Sequence, residues 1–170
     1  MFTDIVDFTD LMSNDESEAL IILQKKIFTV KSEISNYNGV YVKDIGDGTL
    51  SYFDSATKAV DCSIKIQNLF KNEIRVRIGL HLGEIVHKDD DIFGDSVNIA
   101  NRIEKISTPG GICISSSIFD QLKNKKIYQF RHLGLHSFKG VGRLLDIYGF
   151  NTSESVGKDN QNFEIINQYS

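Results

Sequence analysis

Residues 40–53 read Val40-Tyr41-Val42-Lys43-Asp44-Ile45-Gly46-Asp47-Gly48-Thr49-Leu50-Ser51-Tyr52-Phe53, two apolar runs on either side of a Gly-Asp-Gly turn. That pattern predicts a β-hairpin with Asp47 at its tip. A strand joined directly to the next strand argues against a parallel sheet in which every strand feeds a helix. Working outward to the N-terminus, Phe2-Thr3-Asp4-Ile5-Val6-Asp7-Phe8-Thr9 sets Asp4 among the strand formers Phe2, Ile5, Val6 and Phe8. An unpaired carboxylate in a half-buried strand costs several kcal/mol, so Asp4 is expected to have a cation. If this strand lies beside the hairpin, Asp4 and Asp47 converge on one or two divalent ions and, through them, on a phosphate.

The segments between and after these two stretches alternate helix and strand. Ser13-Asn14-Asp15-Glu16 has the form of a capping box, and Leu20, Leu23, Ile27, Val30 and Ile34 follow at helical spacing up to Asn36–Gly39. Ser55 to Phe70 predicts a second helix with Ala56, Ala59, Val60, Ser63, Ile64 and Leu69 inward. Ile74 to Val86 reads as a long β segment with Gly79 and Gly83 as points of bending or close approach, His81 and His87 being ordinary polar strand residues. Lys88 to Asp91 is a charged loop. Asp95 then N-caps a helix of about 96–106, on which Asn98 and Arg102 share a flank apart from Ile99, Ala100, Ile103 and Ile106. After the Thr108-Pro109-Gly110-Gly111 break come a strand at 112–115, a helix at 116–122, and strands at 126–133, 135–141 and 143–150. Residues 151–170 turn polar and read as a tail or linker after a domain of 1–150.

Composition narrows the function classes. A chain of 170 residues that is 41% apolar suits one domain with a real core. A net charge of -4, with no basic block, argues against a nucleic-acid binder, so any phosphate affinity is local. Cys62 and Cys113 lack metal-ligand or CxxC spacing and read as packing residues in a reducing compartment. No apolar run reaches the length of a membrane span, and Asp4, Asp7 and Asp10 are foreign to a signal peptide, so a soluble, cytoplasmic location is expected. The first strand opens only three residues before Asp4, as it would in a piece of a larger protein.

Four motifs in order then carry a resemblance: Phe2 to Thr9; Lys43-Asp44-Ile45-Gly46-Asp47; Asp91-Ile92-Phe93-Gly94-Asp95-Ser96-Val97-Asn98-Ile99-Ala100-Asn101-Arg102; and Phe138-Lys139-Gly140-Val141-Gly142. Together they closely resemble the class III nucleotidyl cyclase catalytic domain. The resemblance implies an α+β fold with a ferredoxin-like antiparallel sheet and flanking helices, dimerising head to tail with active sites between two copies. It places Asp4, Asp47 and the carbonyl of Ile5 as ligands of two divalent ions, Mg²⁺ or Mn²⁺. It places Lys43 and Asp91 at the purine, Asn98 and Arg102 at the ribose and the reacting phosphate, Lys139 at the terminal phosphates, and Phe8 and Thr9 among the substrate-binding positions. Two positions depart from the family pattern. Asp7 stands where Gly is common and is expected to face solvent, while Asp44 would blunt base recognition if it paired with Lys43.

The chemistry of the residue types agrees with these roles. Forming a cyclic nucleotide needs in-line attack of a 3'-hydroxyl on the α-phosphorus with loss of pyrophosphate, which two ions assist. Charge that builds on phosphoryl oxygens suits the planar guanidinium of Arg102. Adenine shows an acceptor at N1 and a donor at its amine, matching Lys43 as donor and Asp91 as acceptor. ATP is therefore the expected substrate and a homodimer the expected assembly, with regulatory modules outside this chain. The alternatives are a guanylate cyclase, and a catalytically silent module that keeps the fold for dimerisation or nucleotide sensing.

Overall fold

β1 (Phe2–Ile5) becomes a central strand because its residues alternate between two buried faces. The structure is a computed structural model and describes residues 1–71 and 73–151. β1 is followed by α1 (Phe8–Asn14), α2 (Glu16–Asn36), the hairpin β2 (Val40–Ile45) and β3 (Gly48–Tyr52), α3 (Ala56–Phe70) and β4 (Val76–Leu80). β5 (Val86–Lys88) and β6 (Asp91–Phe93) form a separate two-stranded ribbon. α4 (Asp95–Lys105), β7 (Gly111–Ser115), α5 (Ser116–Leu122), β8 (Arg131–His136) and β9 (Leu145–Asn151) complete the described chain.

The sheet has seven strands in the order β2-β3-β1-β4-β7-β9-β8. Its first four strands, with α2 and α3, are a ferredoxin-like β-α-β-β-α-β unit. Every pairing in it is antiparallel except β4 with β7, among the described residues. Strand alternation assigns the faces. Ile5, Val76, Ile78, Leu80, Ile112 and Ile114 pack with Val30 and Ile34 of α2 and with Val60, Ile66 and Phe70 of α3. Each such side chain, fully buried, stabilises the fold by about 1.5–3 kcal/mol. Phe2, Asp4, Arg77, Gly79 and Cys113 take the opposite face, where Ile99, Ala100 and Ile103 of α4 are buried. At Gly79 α4 comes so close that a Cβ there would lie 2.1 Å from the Glu104 amide nitrogen. Cys62 and Cys113 are both buried and free.

Several boundaries differ from the expectations. Ser13 lies inside α1 and donates to the Thr9 carbonyl (2.9 Å); Asp15 caps α2, accepting from the Glu18 amide (2.9 Å). The buried row of α2 is Ala19, Lys26, Val30 and Ile34, which leaves Leu20 44% exposed. Leu69 of α3 is likewise 43% exposed. The predicted β segment stops at Leu80. His81 follows it, half-buried, while His87 lies in β5. The Lys88–Asp91 loop is a tight turn instead: Asp89 and Asp90 both take positive φ, 51° and 59°, and Asp91 opens a strand. Gly94, at φ 135°, holds the N-cap position of α4, and Asp95 is its first helical residue.

Near the C-terminus, three predicted strands become two, β8 and β9. Tyr128 and Phe130 pack against each other, and Phe130 also packs against Phe119 and Phe150, rather than extending a ladder. Residues 137–144 connect β8 to β9, so Lys139 sits in a turn and not at a strand end. The polar tail expected from 151 onward lies beyond the described residues apart from Asn151, which ends β9.

Candidate active site

β1 and the β2–β3 turn bring Asp4 and Asp47 together. Phe2 and Thr3 pair with Leu50 and Thr49, so the next residue of β1 arrives beside the turn. Gly46, at φ 62°, lets the chain reverse there, and Asp47 Oδ2 accepts the amide of Ile5 (3.1 Å). Asp4 Oδ1 faces Gly48, where a Cβ would stand 3.4 Å away. Burial, followed by the hydrogen bond and the charge of Asp4, raises the Asp47 carboxyl above its ordinary value, while its own amide and that of Ile5 pull the other way. Two carboxylates this close resist sharing negative charge, and a divalent cation relieves that. With hard oxygen donors, the pair fits a magnesium-type ion. Ile5 keeps its side chain in the core, and its backbone faces Asp47.

Three residues beside this pair escaped the sequence reading. Arg77 on β4 donates from Nη2 to Asp4 Oδ2 (2.6 Å), and its Nε lies 3.0 Å from Glu104 Oε1 on α4, although off hydrogen-bonding alignment. Glu104 is 3% exposed; burial first, then Asp4, pushes its carboxyl up to about 7 against the pull of Arg77. Lys26 is fully buried in α2 and donates from Nζ to the Asp47 carbonyl (2.7 Å). Burial lowers the Lys26 ammonium to about 8, opposed by the charges of Asp47 and Asp4. A lysine in the buried row of α2, and an arginine on the same strand face as Gly79, were the available signals.

A second group of the expected residues lies apart from the carboxylates. Lys43 on β2 and Asp91 on β6 form an ion pair, and Asp91 Oδ1 also accepts the Ile92 amide (2.8 Å). The Lys43 hydrogen bond holds the Asp91 carboxyl below its ordinary value. Asp44 engages the Tyr41 hydroxyl and lies 4.0 Å from Lys31, which leaves Lys43 to Asp91. On α4, Asn98 is exposed and Arg102 half-buried on the flank away from Ile99 and Ile103. The Arg102 guanidinium stands over the turn after Lys139, 3.7 Å from where a Cβ of Gly140 would be. Among the described residues the side chains of Asn98, Arg102 and Lys139 make no hydrogen bond or ion pair, and nothing of this kind joins this group to Asp4 or Asp47.

The turn from β1 into α1 holds the remaining expected positions. Asp7 takes φ 57°, a conformation that favours glycine, and its exposed carboxylate pairs with Arg75 (3.0 Å). Phe8 packs onto the core and Thr9 is exposed in the first turn of α1, so only Thr9 offers its side chain outward.

The ferredoxin-like sheet with its flanking helices is the fold of nucleotide cyclase catalytic domains. The chain belongs to the adenylate and guanylate cyclase catalytic domain family, whose model matches residues 1–152. It is 32% identical over 155 residues to a putative adenylate cyclase 3 of Rhizobium meliloti, covering 85% of this chain and 26% of that protein. The chain thus spans about a quarter of that relative. Among solved structures it resembles an adenylate/guanylate cyclase/hydrolase from Silicibacter pomeroyi (32% identity, TM-score 0.76, 88% of this chain and 92% of that one). It also resembles the guanylate cyclase domain of RhGC from Catenaria anguillulae, solved in complex with GTP (26% identity, TM-score 0.74, 88% and 93%). No described helix is long and apolar enough to cross a membrane.

Proposed function

We propose that this domain is an adenylate cyclase, converting ATP to cyclic AMP and pyrophosphate in clefts formed between two copies of the chain. The observation that carries the choice of ATP is the Lys43–Asp91 pair. Asp91, kept ionised, accepts from the adenine amine, and Lys43 donates to N1; guanine would set its carbonyl against the carboxylate. Relatives named for either activity exist, so the choice of ATP rests on this pair.

Asp4, Asp47 and the Ile5 carbonyl would hold Mg²⁺ or Mn²⁺, two per site. Those ions, when bound, acidify the 3'-hydroxyl and neutralise the triphosphate. Arg102 places its guanidinium on the α-phosphoryl oxygens as charge gathers there, and Asn98, one helical turn earlier, orients the ribose. Lys139, in the turn beside Arg102, meets the terminal phosphates. Phe8 and Thr9, at the start of α1, border the phosphate path, and the Arg75 partner of Asp7 offsets the added negative charge there. The separation of the two groups within one chain supports a two-chain site: the carboxylates of one copy face the purine-reading and α4 residues of its partner, head to tail. Val86 and Phe93, paired across the β5–β6 ribbon and 63% and 49% exposed, offer apolar surface for that contact.

Purified protein incubated with ATP or GTP, each with Mg²⁺ or Mn²⁺, tests the reading. Cyclic AMP formed from ATP in preference to cyclic GMP formed from GTP, at a specific activity that rises with protein concentration, is expected. Preference for GTP, or no product at any concentration, contradicts it.

A further inference from the structure

Among the described residues, Arg77 is the one side chain that bonds to the acid pair and reaches α4 as well. Its Nη2 lies 2.6 Å from Asp4 Oδ2, and its Nε stands 3.0 Å from Glu104 Oε1. Asp4 is thereby used on both sides: Oδ2 is held by the guanidinium, and Oδ1 is turned to the Gly48 side, where Asp47 sits. The contact is sheltered, with side-chain exposures of 27% for Arg77, 26% for Asp4 and 4% for Glu104. Among the described residues neither Arg77 Nε nor Glu104 Oε1 has a hydrogen-bond partner, so the pair has attraction in reserve that a small shift of the guanidinium would realise.

We propose that Arg77 is a positioning residue that serves as the resident counter-ion of Asp4, holding that carboxylate aimed at Asp47 before a divalent cation arrives and competing with the cation for it. Glu104 sets the strength of this competition by drawing the same guanidinium toward α4. The inference rests on the reading of Asp4 and Asp47 as metal ligands. It adds a consequence that reading lacks, namely opposite effects on metal affinity from the two ends of one contact. Removing the guanidinium takes a positive charge from beside the ion and frees Asp4 Oδ2, so the metal binds more tightly. Neutralising Glu104 leaves Arg77 wholly to Asp4, so the metal binds more weakly. Loss of packing or of fold would weaken binding in both cases. Lysine at 77 keeps the charge but, as a point donor, cannot bridge two carboxylates.

The test is Mn²⁺ binding at pH 8 to the full 170-residue chain without nucleotide, read from the free-ion electron paramagnetic resonance signal. Arg77→Gln is expected to lower the Kd about threefold or more, and Glu104→Gln to raise it by about as much. Arg77→Lys is expected to lie between wild type and Arg77→Gln, and Asp4→Asn to lose the site. A Kd in Arg77→Gln that is unchanged or higher, with Asp4→Asn still losing the site, overturns the role of Arg77 and leaves the metal reading standing. If Arg77→Gln does not fold, Glu104→Gln decides: an unchanged or tighter Kd overturns the proposal. Asp4→Asn binding Mn²⁺ like wild type removes the metal reading and the role of Arg77 together.

Discussion

Glu104 is a carboxylic acid with only 4% of its side chain exposed, with an arginine on one side and Asp4 behind that arginine. Its pKa stands at about 7 in the fold against an ordinary 4.5. Between those values the folded protein holds a proton that the unfolded chain has released. The stability due to Glu104 is therefore complete below pH 4.5 and is lost as pH rises through 7. Denaturant titrations from pH 4.5 to 8 should show this decline, on the order of a few kcal/mol, and Glu104→Gln should flatten it. An unchanged slope in that variant would mean the carboxylate is already ionised. At the same scale, exchanging the base-reading pair should move substrate choice: Lys43→Glu with Asp91→Ser presents an acceptor and a donor in reversed places, matching guanine. The ratio of kcat/KM for ATP to that for GTP should fall by at least about tenfold, and a ratio that stays put would remove both residues from base recognition. Asp47 was legible because Gly46-Asp47-Gly48 is local turn chemistry. Lys26 and Arg77 were not, since the partners that give them meaning lie 21 and 73 residues away in the chain.

At the scale of elements, two contacts keep the carboxylates and α4 in register. Lys26 anchors the β2–β3 turn to α2 through the Asp47 carbonyl, and Gly79 lets α4 lie directly on β4. Gly79→Ala places a methyl group 2.1 Å from the Glu104 amide nitrogen, so α4 must move away and take Asn98 and Arg102 with it. A loss of about 1–3 kcal/mol in denaturant titration is expected, together with a drop in kcat larger than the rise in KM. Wild-type turnover from a stable variant would show that α4 tolerates the displacement. Helices and strands with local markers were readable: Ser55 caps α3 through the Lys58 amide, and the alternation of Ile74, Arg75, Val76, Arg77 and Ile78 placed β4. The C-terminal hairpin was harder. Its register shifts between His132 and Gly134, and Gly134 takes φ 92°, so the apolar pattern on which a strand boundary depends slips by one.

For the whole molecule, the sheet order brings the acids at 4 and 47 together, while among the described residues no hydrogen bond or ion pair joins them to the residues at 43, 91, 98, 102 and 139. The order β2-β3-β1-β4 follows from a β-α-β-β-α-β chain, and the hairpin at 40–53 was enough to choose it over a parallel sheet. A second copy is expected only from family likeness, because nothing in one chain's pattern says that a site is half of a larger one. In a twofold dimer each copy completes its partner's cleft, so two differently disabled chains repair one of their two sites when mixed. Asp47→Asn lacks a carboxylate and Arg102→Ala lacks the guanidinium; each alone should be inactive. The decisive measurement is cyclic AMP formed from ATP and Mn²⁺ by an equimolar mixture of these two variants. Recovery to about a quarter of the wild-type rate is predicted, since half of the dimers would be mixed and carry one intact site. A mixture as silent as its components would contradict a shared cleft built from Asp4 and Asp47 of one copy and Arg102 of the other.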